Sequence, residues 1–93
     1  MILSFYDKET EDLFNGGRGD RRWLSFLRVA RRKLLLLDAA TSLHDLKSPP
    51  NNKLEALKAD RLGQHAIRVN DQYRICFVWE DGNATRVEIT DYH

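Results

Sequence analysis

A single cysteine in 93 residues leaves no intramolecular disulfide to hold the chain together. Cys76 stands in an alternating apolar run, which predicts a buried thiol in a reducing compartment. Long apolar runs are missing too. The longest, Leu34-Leu35-Leu36-Leu37, makes one helical turn, far short of the roughly 20 residues that span a bilayer. Met1-Ile2-Leu3-Ser4-Phe5-Tyr6-Asp7 has no basic region followed by an apolar one, so no signal peptide is expected and the expected location is cytoplasmic. Proline occurs only at Pro49-Pro50, which forbids helix there and biases Ser48 to an extended form. His44 and His65 have no ligand partner at usable spacing, so neither a metal site nor a cofactor is expected.

Charge of one sign is scarce only in the total, which is +1. Residues 1–17 sum to −3, whereas residues 18–33 carry six arginines and Lys33 against Asp20, a block of +6. The last 19 residues return to −3. Blocks of this size make regional fields matter more than the sum. The basic block fits a phosphate or acidic partner, and it equally fits a solvated helix face.

What is present is periodicity. The length fits one domain over residues 1–93. Ile2-Leu3-Ser4-Phe5 predicts a short strand, and Asp7 is a cap for a short helix ending at Asn15-Gly16-Gly17. From Asp20, residues Trp23, Phe26, Leu27, Ala30, Leu34, Leu37 and Thr41 recur at helical spacing, predicting an amphipathic helix of about 20 residues. Lys53-Leu54-Glu55-Ala56-Leu57 reads as one helical turn, and a polar loop ends at Gly63. The period then becomes two. Ile67 and Val69, then Tyr73, Ile75, Phe77 and Trp79, then Val87 and Ile89 alternate with polar residues across turns at Asn70-Asp71-Gln72 and Asp81-Gly82. The expected fold is α+β: an N-terminal strand and two helices on one face of an antiparallel three-stranded C-terminal meander.

Parity gives the candidate site. With the apolar set facing the helices, Arg68, Arg74 and Tyr92 face the other way. Lys58 and Arg61, on the loop entering the first of these strands, can reach the rim of that face. Asp91-Tyr92-His93 adds a carboxylate, a phenol and an imidazole, groups able to exchange protons. A cationic floor beside such groups suits a phosphodiester. Each also has a structural reading: Arg68 and Arg74 can pair with Glu88 or Asp71, Lys58 can be a solvated loop charge, and Tyr92 can close the sheet edge.

Three stretches carry a resemblance: Leu57-Lys58-Ala59-Asp60-Arg61, then residues 64–77 (QHAIRVNDQYRICF), and Asp91-Tyr92-His93. Together they resemble the HigB branch of the RelE/ParE toxins, also called the plasmid-maintenance killer-protein family. The resemblance covers essentially the whole chain. It implies a RelE-like fold and a ribosome-dependent messenger-RNA endonuclease that works without metal. It also implies a HigA-type helix-turn-helix antitoxin that neutralises the toxin and connects it indirectly to operator DNA. Lys58, Arg68, Arg74, Asp91, Tyr92 and His93 match family positions, and Arg61 joins the RNA-binding set as a neighbouring cation. Some HigB toxins carry a histidine where this chain has Glu55, so the job of that histidine falls to Glu55, to His93 or to nothing here. The same fold in ParE-type relatives implies the alternative, a non-enzymatic inhibitor of DNA gyrase. A blander alternative is an inactive antitoxin-binding module.

Overall fold

The computed structural model describes residues 1–92; His93, the acid–base candidate at the end of the sequence, lies outside the described residues. Helix α1, Lys8–Phe14, starts where the Asp7 carboxylate accepts from the Thr10 N–H at 2.8 Å. Asp20 likewise caps the next element by accepting from the Arg22 N–H at 2.8 Å. That element is a 3-10 helix, Arg21–Phe26, which hands over at Phe26 to helix α2, Leu27–Ala39. The expected continuous helix of about 20 residues is therefore two pieces. Tertiary packing accounts for the change of winding: Trp23 is buried over Gly19, and the Phe26 ring lies 5.0 Å from that of Tyr73. In 3-10 winding, residues three apart eclipse, so Trp23 and Phe26 project directly one above the other on the packed side.

The sheet has four antiparallel strands in sequence order: β1 Glu55–Ala56, β2 Gln64–Arg68, β3 Arg74–Glu80 and β4 Asn83–Thr90. β1 corrects two expectations, the three-stranded count and the helical turn over residues 53–57. Lys53 takes a left-handed conformation (φ 47°) that turns the chain out of the preceding 3-10 turn, Pro50–Asn52. Glu55 and Ala56 then pair with the open edge of β2, and the Leu57 N–H reaches the Gln64 carbonyl at 2.9 Å. Pairing an otherwise bare edge outweighs the helical leaning of five residues. The N-terminal strand is reduced to two isolated parallel bridges, Ile2 to Ala84 and Phe5 to Val87, on the far edge.

The turns are those the sequence predicts. Asp81 and Gly82 both have positive φ, the geometry of a two-residue hairpin loop. Asn70 accepts from the N–H groups of Gln72 and Tyr73 and closes the other turn. A register shift between Cys76 and Val78 marks a β-bulge in the β3–β4 ladder. Arg86 sits there with φ 54°, and Ser4 Oγ accepts its N–H at 2.9 Å.

Two apolar clusters separate the faces of the sheet. Leu13, Leu34, Leu37, Ile67, Ile75, Phe77, Val87 and Ile89 fill the main core beneath the helices. Leu57, Ala66 and Cys76 form a smaller cluster on the opposite face, with Tyr92 packed on it. Arg31 ties the helices together, donating to the carbonyls of Leu13 (3.0 Å) and Gly17 (2.5 Å) at the end of α1. One arginine of the basic block is thus a helix C-terminal clamp rather than a solvated charge.

Candidate active site on the open face of the sheet

Alternation along the strands and the register between them bring the candidates to one face. Glu55, Ala66, Cys76 and Glu88 form a row of Cα partners across all four strands. Arg68 and Arg74 are partners in the next row. Tyr92 lies over the first row: its hydroxyl donates to Glu55 Oε1 at 2.6 Å, joining the segment after β4 to the far edge strand β1. Burial, with the Glu55 hydrogen bond second, pushes the Tyr92 phenol up to about 12. At neutral pH it is a proton-bearing donor, and the carboxylate beside it is an acceptor.

Arg61 stands between the two ends of this row. Its Nη1 donates to Glu88 Oε1 at 2.8 Å and Gln64 Oε1 at 3.1 Å, while its guanidinium carbon lies 5.6 Å from the Tyr92 ring centroid. The bond to Glu88 raises its already high pKa. The Arg61 side chain is therefore fixed in place, and it separates two depressions that it lines on both sides. One, of about 220 Å³, includes Lys58 and Tyr92; the other, of about 560 Å³, includes Tyr6, Arg86 and Glu88.

The two sheet arginines are partly committed. Arg68 pairs with Asp71, one of the two structural partners its sequence position suggests. Arg74 Nη1 donates to the carbonyls of Asn70 (2.6 Å) and Tyr73 (3.1 Å). Their guanidiniums keep further donors, since each carries five N–H groups. Asp91 Oδ2 accepts from Gln72 Nε2 at 3.0 Å, placing it beside the β2–β3 turn.

Seven of the eight candidates are thus positioned on or around one surface, and His93 lies outside the described residues. The surface is not purely cationic, because Glu88 sits in the middle of it. Parity could have found Glu88, which alternates in step with Tyr92. It could not have found Arg86, whose placement depends on the bulge. Cys76, fully buried beneath Tyr92 and Leu57, has its thiol pushed up to about 11 by burial. That describes a packing thiol rather than a nucleophile. His65 stacks on Phe77 with 6.2 Å between centroids and takes no part in this face.

A two-layer α+β fold is what the architecture defines. A solved YoeB–YefM complex from Staphylococcus aureus contains a chain that superposes with TM-score 0.57 over all of this chain and 98% of its own, at 14% identity. Sequence makes the assignment narrower. The model of a RelE-like toxin of the type II toxin–antitoxin system HigB matches residues 3–93. "Toxin HigB-1" of Vibrio cholerae serotype O1 is 42% identical over 85 residues, 90% of either chain. An uncharacterised Haemophilus influenzae protein is 37% identical over 60 residues, covering 64% of this chain and 59% of its own. The chain belongs to the HigB-like toxin family.

Proposed function

We propose that this toxin is a ribosome-dependent messenger-RNA endoribonuclease that needs no metal and is neutralised in the cytoplasm by a HigA-type antitoxin. That antitoxin would also carry it to operator DNA. The observation that carries the reading is the Tyr92–Glu55 hydrogen bond, a proton donor and a carboxylate held together on an open face lined with guanidiniums.

In the reaction, the 2′-hydroxyl of the RNA attacks the adjacent phosphorus. A base takes the hydroxyl proton, the bond to the 5′-oxygen breaks, and that oxygen is protonated as it leaves, giving a 2′,3′-cyclic phosphate and a 5′-hydroxyl. Glu55, the carboxylate that accepts from Tyr92, is one candidate for the base, and His93 is the other. Tyr92, protonated throughout the physiological range, donates to a phosphate oxygen or to the leaving group. The uncommitted donors of Arg68 and Arg74 hold the charge that builds on the phosphoryl oxygens. Asp91 orients its neighbours, and Lys58 and Arg61 bind the strand along the rim.

Primer extension on messenger RNA from cells expressing the protein tests this. Discrete cuts within translated regions, lost in Tyr92→Phe and Glu55→Gln double variants, are the expected result. Intact message together with damaged DNA would support the gyrase-inhibitor alternative and remove the nuclease.

A further inference from the structure

The larger depression beyond Arg61 has no role in the chemistry above. It holds about 560 Å³, and its walls include Tyr6, Asp60, Arg61, Gln64, Arg86 and Glu88. Two of its residues are unusual. Tyr6 is 66% exposed although its backbone is fixed, with its N–H bonded to the Val87 carbonyl at 2.9 Å. Arg86 holds a left-handed backbone that an L-residue rarely adopts, fixed by Ser4, and its guanidinium makes no ion pair among the described residues. Non-glycine residues held in such conformations concentrate at functional positions.

We infer that this depression is a nucleotide subsite for single-stranded RNA, with a base stacked on Tyr6 and its phosphate on Arg86, farther along the same strand of RNA from the scissile bond's place at Tyr92 and Glu55. An exposed aromatic ring beside a guanidinium is the combination that binds an unpaired nucleotide without reading its sequence. The row from Glu55 through Ala66, Cys76 and Glu88 to Tyr6 crosses four strand spacings of ~4.8 Å, roughly 19 Å in all. That reach accommodates several nucleotides rather than a mononucleotide, and Arg61 lines both depressions and so bridges them. The inference rests on the reading of the open face as an RNA site.

Two variants test it without disturbing the fold. Arg86→Gly removes the guanidinium and relieves the left-handed strain. Tyr6→Leu removes the stacking surface from an exposed position. The probe is a 2′-O-methyl RNA of about ten nucleotides, which lacks the attacking hydroxyl, with binding read by fluorescence anisotropy against salt. Tyr6→Leu should weaken binding roughly tenfold and Tyr6→Phe should not. Arg86→Gly should weaken it and flatten the salt slope by roughly 0.7, the loss of one phosphate contact on a single strand. Parent-like affinity in Tyr6→Leu and Arg86→Gly, or no binding by the parent protein, overturns the inference. So does loss of antitoxin affinity with RNA affinity kept, which would make the depression a protein-docking surface. Cleavage is scored separately: RNA that is bound through Tyr6 and Arg86 but never cut removes the nuclease and leaves the subsite.

Discussion

Thr10 is buried on α1, and its Oγ1 accepts the Ile89 N–H of β4 at 3.1 Å. Ile89 pairs with Ile75 of β3 on one side, but the parallel bridges of the N-terminal segment end at Phe5, so on its outer edge β4 has no strand partner at Ile89 and a helix hydroxyl substitutes for one. Thr10→Val keeps the shape but leaves that N–H unpaired in the core, a loss of about 1–3 kcal/mol. Urea titration should show a lower midpoint at unchanged slope, with Thr10→Ser close to the parent. At the same scale the Tyr92–Glu55 contact has a spectroscopic signature. Burial is the larger cause of the raised phenol pKa and the carboxylate the smaller. Glu55→Gln should therefore bring the tyrosinate absorbance change assigned by difference from Tyr92→Phe down from about 12, without reaching the ordinary 10. An unmoved midpoint would mean the hydrogen bond is not made in solution. The sign for stability follows: the folded state holds this proton more tightly than the unfolded chain, so the contribution is complete below pH 10 and is lost as pH rises through about 12.

Elements show where sequence and structure part. The Asp81-Gly82 hairpin, the Asn70 turn and the strand alternation were all legible, because each depends on residues close in the chain. β1 was not, since Lys53-Leu54-Glu55-Ala56-Leu57 has ordinary helical composition and becomes a strand only because β2 offers an edge. The bulge was hidden as well: arginine gives no local sign of a left-handed backbone, and Ser4, which holds Arg86, is 82 positions away. Strand parity still placed Arg68, Arg74 and Tyr92 on one face correctly. It anticipated Asp71 as a partner of Arg68 but not the contacts that cross the face, because Arg61 reaches Glu88 over 27 positions and Tyr92 reaches Glu55 over 37. The small cluster under Tyr92 gives a prediction about β1. Cys76 is covered by Leu57 and Tyr92, and its thiol is pushed from the usual 9 to about 11. Iodoacetamide at pH 9 should leave the folded protein unlabelled. Tyr92→Ala should open the cluster and allow labelling while the melting transition persists. Equal protection in both proteins would mean that Leu57 alone seals the thiol.

At the scale of the molecule, the two faces of the sheet divide the work. The helix-covered face contains nearly all the large buried side chains, and Phe77 is the largest of the fully buried ones. The open face contains the Tyr92–Glu55 and Arg61–Glu88 contacts. A chain of this size has total stability of about 5–15 kcal/mol, and Phe77→Ala removes about 3–5 kcal/mol of it. At about 4–8 °C per kcal/mol, the variant should melt at least about 12 °C below the parent. Tyr92→Phe leaves the core intact and should melt within a few degrees of it while losing activity. The antitoxin then distinguishes the faces. A partner that binds only the folded toxin raises stability by mass action, about 2.7 kcal/mol at a hundredfold excess over Kd. Excess antitoxin should therefore restore most of the Phe77→Ala melting temperature and shift Tyr92→Phe by the same amount as the parent. A shift smaller in Tyr92→Phe than in the parent would place Tyr92 inside the antitoxin contact, and neutralisation would then act by covering the open face directly.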